Sequence, residues 1–294
     1  MDKNSKFTDI KTLSKQIIAT DSSITTDIPN LSFYCRNAVS EIECVIYEPV
    51  LCLILQGSKI SSIGELSANL NVGDALVVSH DLPVVSKITK ASKDEPYIAL
   101  ILSLDLGLTR SLYNLVADAP LPDIASNAFA IDQADEAWLE PLLRYVELMQ
   151  SPLDAEVLAP SILREIHYRL LLSPIGRMLR DIIVSSSHAS RISKATNHIK
   201  NEFHTLLNIT DLAKLCGMSA ASFHQHFKQI TGLTPLQYQK DLRLIKAKAL
   251  LLENKSVSEV AFLVGYESPT HFSREYRRKF DLPPSQENGG SMTT

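Results

Sequence analysis

No apolar run in this 294-residue chain reaches the ~18–20 residues that a membrane-spanning helix needs, although apolar residues make up 45% of it. A membrane partner is therefore not expected. The opening residues, Met1-Asp2-Lys3-Asn4-Ser5-Lys6, lack the apolar stretch of a signal peptide, which predicts a cytoplasmic protein. Cysteine is scarce. Cys35, Cys44, Cys52 and Cys216 lie far apart and form no CxxC pair, which argues against a zinc cluster or a disulfide framework. Buried, inert thiols are the plainer reading of the first three; exposed and acidified, they would sense oxidants or electrophiles. Signatures of catalysis are missing too, with no P-loop and no GxSxG. His80, His167 and His188 are too scattered for a paired-histidine metal site, and His80 beside Asp81 reads as a hydrogen-bonded turn residue. Glu48 and Asp74 are separate acids that form no dyad. No catalytic residue, metal or cofactor is expected.

What is present is an uneven charge. The net −4 divides into 14 Lys+Arg against 9 Asp+Glu over 190–294, and 15 against 24 over 1–189. An acidic body with a basic tail domain suggests that the tail alone meets a polyanion, although two-domain proteins often divide their charge unevenly.

Three zones follow one another. From about 28 to 104, short β-branched and apolar stretches such as Glu43–Tyr47, Leu51–Gln56, Ala75–Ser79 and Tyr97–Leu102 alternate with turn residues at Gly57, Gly64 and Asn71-Val72-Gly73-Asp74. That spacing fits a β-barrel or sandwich. From about 105 to 183, Ala137–Gln150 and Ala155–Leu172 carry helical periodicity. Trp138, Leu142, Tyr145 and Met149 share one face, read as core, with a dimerising surface as the other use of such a face. The fold class is α+β. The boundaries drawn are 1–184 for a β-rich domain with C-terminal helices, a small polar linker at 185–191, an all-α domain at 192–287, and a disordered tail at 288–294.

The all-α zone repeats itself. Asn208-Ile209-Thr210-Asp211-Leu212-Ala213 aligns with Ser256-Val257-Ser258-Glu259-Val260-Ala261 at an offset of 48, each with an N-cap side chain and an acid three residues on, the capping-box pattern. Gly217 and Gly265 keep that offset; Ser219, Phe223 and Phe227 match Ser268, Phe272 and Tyr276 at 49. Helix, glycine turn and a second helix with an aromatic i, i+4 face form a helix-turn-helix. If the aromatics face inward, Ala220, Ala221, His224, Gln225 and Lys228 point outward in the first unit. Thr270, Ser273, Arg274, Arg277 and Arg278 do so in the second, joining base-edge donors to phosphate-binding cations. Thr234–Glu253 between them predicts an amphipathic linker helix of about 27 Å, long enough to set two readers one DNA turn apart.

These residues resemble the AraC/XylS family of transcription regulators. The likeness is carried by Ile209-Thr210-Asp211-Leu212-Ala213, Cys216-Gly217-Met218-Ser219, Phe227-Lys228, Thr231-Gly232-x-x-Pro235-x-x-Tyr238, Arg243, Val260-Ala261-x-x-Val264-Gly265-Tyr266 and Phe272-Ser273-Arg274. It implies base contacts from Ser219, Ala221, His224 and Gln225, and from Pro269, Thr270, His271 and Arg274. Gln225 stands where the family often has arginine, and Asp281 where glycine usually follows the last helix. The front also resembles one AraC subgroup, through Tyr47-Glu48-Pro49, Leu53-Ile54-Leu55-Gln56-Gly57, Gly73-Asp74 and Asp81-Leu82-Pro83-Val84. That likeness implies a cupin-like β-barrel with flanking helices, serving in relatives as a sensor or dimerisation domain. The implied partners are double-stranded promoter DNA, RNA polymerase, a small-molecule effector of unknown identity and a second copy of the chain. The implied location is the cytoplasm, on the nucleoid when DNA is bound.

Overall fold

The computed structural model describes residues 3–17, 23–117, 119 and 127–289. An N-terminal helix α1 (Lys3–Ile17) precedes strands β1 (Ser23–Thr25), β2 (Leu31–Arg36), β3 (Glu43–Tyr47), β4 (Val50–Gln56), β5 (Ser58–Ile63), β6 (Leu66–Leu70), β7 (Asp74–Val78), β8 (Leu82–Lys90) and β9 (Tyr97–Ser103). Helix α2 (Leu106–Val116) and strand β10 (Phe129–Gln133) lead into α3 (Glu136–Glu147), α4 (Pro152–Leu172) and α5 (Arg177–Ile183). The strands form two antiparallel sheets, β1-β2-β9-β4-β7-β10 and β3-β8-β5-β6. Among the described residues no ladder joins the two, so the barrel is an open one.

Strand β4 is buried along its whole length because both faces are covered. Leu51, Leu53 and Leu55 point to α3 and α4, packing with Trp138, Leu142, Tyr145 and Ile166. Cys52 and Ile54 point between the sheets, towards Tyr97, Val84 and Ile63. The periodic face of α3 is therefore core, as its spacing predicts. All four cysteines are free thiols and buried, as the plainer reading of Cys35, Cys44 and Cys52 expects, and burial pushes the Cys44 and Cys216 thiols up.

The segment expected as a linker is only partly one. Ser187 caps the N-terminus of helix α6 (His188–Asn201) by accepting from the Ser190 amide, so 188–191 form the first turn of a helix. Small polar residues there start a helix, a role they share with linkers. The rest of the chain holds α7 (Ile209–Leu215), α8 (Ala220–Thr231), α9 (Pro235–Leu252), α10 (Val257–Leu263) and α11 (Pro269–Phe280), then a 3-10 segment at Pro284–Gly289. Residues 290–294 of the expected tail lie outside the described residues.

The two halves share their cores. Ile192, Phe223, Phe227 and Tyr238 pack in one apolar cluster with Leu82, Val84 and Ile88 of β8, and Cys44 of β3 joins Leu244, Ala247 and Phe272 in another. Polar bonds join the halves as well. His80, 2% exposed, bonds Ser79 Oγ through Nδ1 (2.8 Å) and the Ala189 carbonyl through Nε2 (3.0 Å). Lys200 of α6 pairs with Asp81 (3.0 Å) and Glu48 (2.6 Å) of the barrel. The β5–β6 turn meets the α8–α9 turn so closely that a Cβ on Gly64 (φ +59°) would lie 2.4 Å from the Gly232 carbonyl.

Candidate nucleic-acid interface

Each helix-turn-helix is built by the same local bonds. Asn208 caps α7 by accepting from the Thr210 and Asp211 amides; Ser256 caps α10 by accepting from that of Glu259. The complete capping box, with both reciprocal bonds made, stands at Thr234 and Gln237 of α9 instead of at these two positions. Asp211 pairs with Lys214. At the turns the chain passes through left-handed glycines, Gly217 (φ +63°) and Gly265 (φ +86°). The Met218 amide donates to Ala213 O and the Tyr266 amide to Ala261 O, both at 2.9 Å, the same closing bond 48 residues apart. Ser219 and Ser268 then cap the second helices.

Aromatic packing fixes how those helices face. Phe223, Phe227, Phe272 and Tyr276 are fully buried. Phe227 meets Phe223 and Tyr238 with ring centroids 5.5 Å apart, and Tyr276 meets Phe280 at 4.5 Å. The opposite faces are open. Ser219, Ala221, His224, Gln225 and Lys228 are exposed on α8, as are Thr270, His271, Arg274, Arg277 and Arg278 on α11, with Pro269 half-buried at its start. His271 lies edge-on to Tyr266 at 5.6 Å.

Two of these residues have a second environment. Lys228 and Arg278 line a cleft of about 320 Å³ between the barrel hairpin at Gly64 and Glu65 and the helices α9 and α11. Arg278 donates to Glu275 (2.8 Å), which also pairs with Lys240. Burial would raise the Glu275 carboxyl, but the Lys240 ammonium and the Arg278 guanidinium outweigh it and hold the group below its usual range. Arg278 is thus a corner residue between α9 and α11, a role that only the fold reveals. Asp281 takes the left-handed conformation (φ +59°) usual for glycine at this point, and its amide still closes on Arg277 O, so this departure is confined to the cap.

A residue to which the sequence assigned no role holds the assembly together. Arg243 donates to the carbonyls of Phe203 (2.7 Å), Gly265 (2.9 Å) and Thr205 (2.8 Å), tying α9 to both the α6–α7 loop and the second turn. Its only sequence signal was its place in the family motif. Among the described residues no three His, Cys, Asp or Glu side chains converge as metal ligands, and no helix is long and apolar enough to cross a membrane.

Two equivalent helix-turn-helix units behind a barrel that packs on their linker helix define the class of two-domain DNA-binding transcription regulators. Residues 27–178 match the family described as "AraC-type transcriptional regulator N-terminus", and 212–288 match "Helix-turn-helix domain". The chain belongs to the AraC-type transcriptional regulators. It is 30% identical over 153 residues to the HTH-type transcriptional activator RhaS of Escherichia coli O1:K1, covering 52% of this chain and 55% of that one. A second RhaS, from strain SE11, is 35% identical over 97 residues, covering 33% and 35%. The chain thus spans about half the length of the curated relatives it matches. In fold it resembles ToxT of Vibrio cholerae, solved with an unsaturated fatty acid bound. The TM-score is 0.54 at 11% identity, over 89% of this chain and 96% of that one.

Proposed function

We propose that this chain is a sequence-specific regulator, an activator, of transcription that reads promoter DNA with α8 and α11 and responds to a small molecule held by its N-terminal domain. The observation that carries the reading is the pair of matched units, each with a buried aromatic face and an exposed face bearing hydrogen-bonding or cationic side chains. Ser219, Ala221, His224 and Gln225 form one reading face; Pro269, Thr270, His271 and Arg274 form the other. Lys228 and Arg277 supply phosphate contacts, and Arg278, shared with Glu275, supplies a weaker one. Helix α9, at 18 residues or about 27 Å, spaces the two. The functional units are 1–184 and 192–287. RhaS, named an activator, supports the sign of regulation and, with it, RNA polymerase as a partner. ToxT with its fatty acid supports a small-molecule effector. A second copy of the chain remains a candidate partner, the site of action is the nucleoid, and no catalytic role is assigned.

Selection of DNA from a random library by the full chain tests this. The expected product is a site with two preferred segments about 10 base pairs apart. Recovery of unrelated sequences in proportion to the input would overturn it.

A further inference from the structure

Among the described residues, the space between the two sheets holds a lysine with no carboxylate to pair with. On β5, Lys59, Ser61 and Ile63 alternate inward, and Lys59 is only 6% exposed. Its Nζ donates to the Tyr47 hydroxyl at 2.9 Å and reaches Cys52 Sγ, on the opposite sheet, at 3.6 Å. Among the described residues no carboxylate lies within ion-pair distance of it. Glu43 at the rim of the same space is engaged elsewhere, accepting from Tyr34 at 2.8 Å and facing Arg36 at 3.7 Å. Burial alone would strip the proton from Lys59, but Cys52, Tyr47 and Tyr97 around it hold the ammonium well above its usual range, and a buried ammonium without a carboxylate partner is among the costliest groups a fold can carry.

Two more unanswered groups share this interior. The hydroxyl of Tyr97, on a fully buried ring, lies beside Lys59 without a well-formed hydrogen bond, and that of Ser61 makes none. Tyr97 neighbours Lys59, Cys52 and Tyr47; burial pushes its phenol well above the usual range, so it stays protonated and able to donate. Buried polar groups are nearly always satisfied, so a cation met only by a phenol and a thiol, beside two hydroxyls short of partners, marks a place that would accept an anionic group. The rings of Tyr34 and Tyr97, 6.3 Å apart and edge to face, give it an apolar wall.

We propose that the barrel interior binds a small organic acid, whose carboxylate takes Lys59 as counter-ion and the Tyr97 hydroxyl as donor, with Ser61 left for a second polar group of the ligand. This rests on the effector reading above and gives the effector its chemical class. A neutral sugar or an amine would leave the ammonium as unpaired as it is now.

The test is thermal unfolding of the full chain with acetate, benzoate and octanoate, each beside its amide, for the wild type, Lys59→Met and Tyr97→Phe. At least one acid should raise the wild-type midpoint saturably while its amide does not. Lys59→Met should lose that response, with affinity reduced about 30-fold or more, as expected when a buried charge pair loses one member. Without ligand, the Lys59→Met midpoint should equal or exceed that of the wild type, since a buried charge gives way to an apolar chain of similar volume. Tyr97→Phe, which keeps the ring, should keep the unliganded midpoint and bind the acid more weakly. Equal responses of wild type and Lys59→Met, including none in either, overturn the proposal. DNA binding by the same wild-type preparation separates the two readings. Specific DNA binding without an acid response sinks the barrel assignment alone, whereas an acid response without specific DNA binding sinks the regulator reading.

Discussion

The phenol of Tyr238, on the helix that joins the two helix-turn-helix units, donates a 2.5 Å hydrogen bond to the backbone carbonyl of Asp81 between β7 and β8 of the barrel. The same helix presents Leu242 and Leu244 to apolar clusters that contain barrel residues. Any event that shifts the barrel therefore acts on the element that spaces the two helix-turn-helix units. Removing the hydroxyl in Tyr238→Phe leaves the Asp81 carbonyl short of a donor and should cost about 1–3 kcal/mol. Denaturant unfolding measures this, and amide exchange in α6 and α9 should speed up. Unchanged stability would mean that the bond is not formed in solution.

His80 makes the contact between the halves sensitive to pH. Burial lowers its pKa from 6.5 to about 4, outweighing the bond to Ala189 that favours the charged form. A folded-state value below the unfolded one means that the unfolded chain binds more protons in this window. The stability is whole above about pH 6.5 and falls as pH drops towards 4, by roughly 3 kcal/mol in all. His80→Gln should flatten that part of the pH–stability curve. A curve identical to that of the wild type would remove His80 as its source.

Arg277 and Arg278 should differ on DNA although they are neighbours. Arg278 is held by Glu275 beside the barrel cleft, whereas Arg277 projects from the exposed face. Arg277→Ala should reduce the salt slope of binding by about one phosphate contact and weaken all sequences alike. Arg278→Ala should change the slope less. Equal effects would place both on the backbone and deny the cleft a hold on Arg278.

Phe227→Ala should cost about 3–5 kcal/mol by opening a cavity against Phe223 and Tyr238. Because the same cluster includes barrel residues, the loss should appear in the unfolding of both halves. Normal thermal stability would contradict the facing of α8.

Local patterns were legible in the chain where one interaction range dominates. Strand β3 was readable in full because β-branched residues crowd it, and the helix-turn-helix units because glycine, serine cap and aromatic spacing are all local. Strand β5, Ser-Lys-Ile-Ser-Ser-Ile, has too little apolar contrast to announce which face is inside, so Lys59 was invisible as an interior group. The first turn of helix α6, residues 188–191, was hidden because serine both caps helices and fills linkers. The clasp of His80, Asp81, Lys200 and Tyr238 spans up to 157 positions, and nothing in a turn sequence signals a bond at that distance.

The most direct test of the account is a salt titration of the full chain on its selected site and on random DNA of equal length. Binding to the selected site should be about 10³-fold or more tighter at moderate salt, with both affinities falling steeply as salt rises. Arg274→Ala should relax preference at one base position by about 1–3 kcal/mol. Equal affinity for the two DNAs at every salt concentration would contradict it.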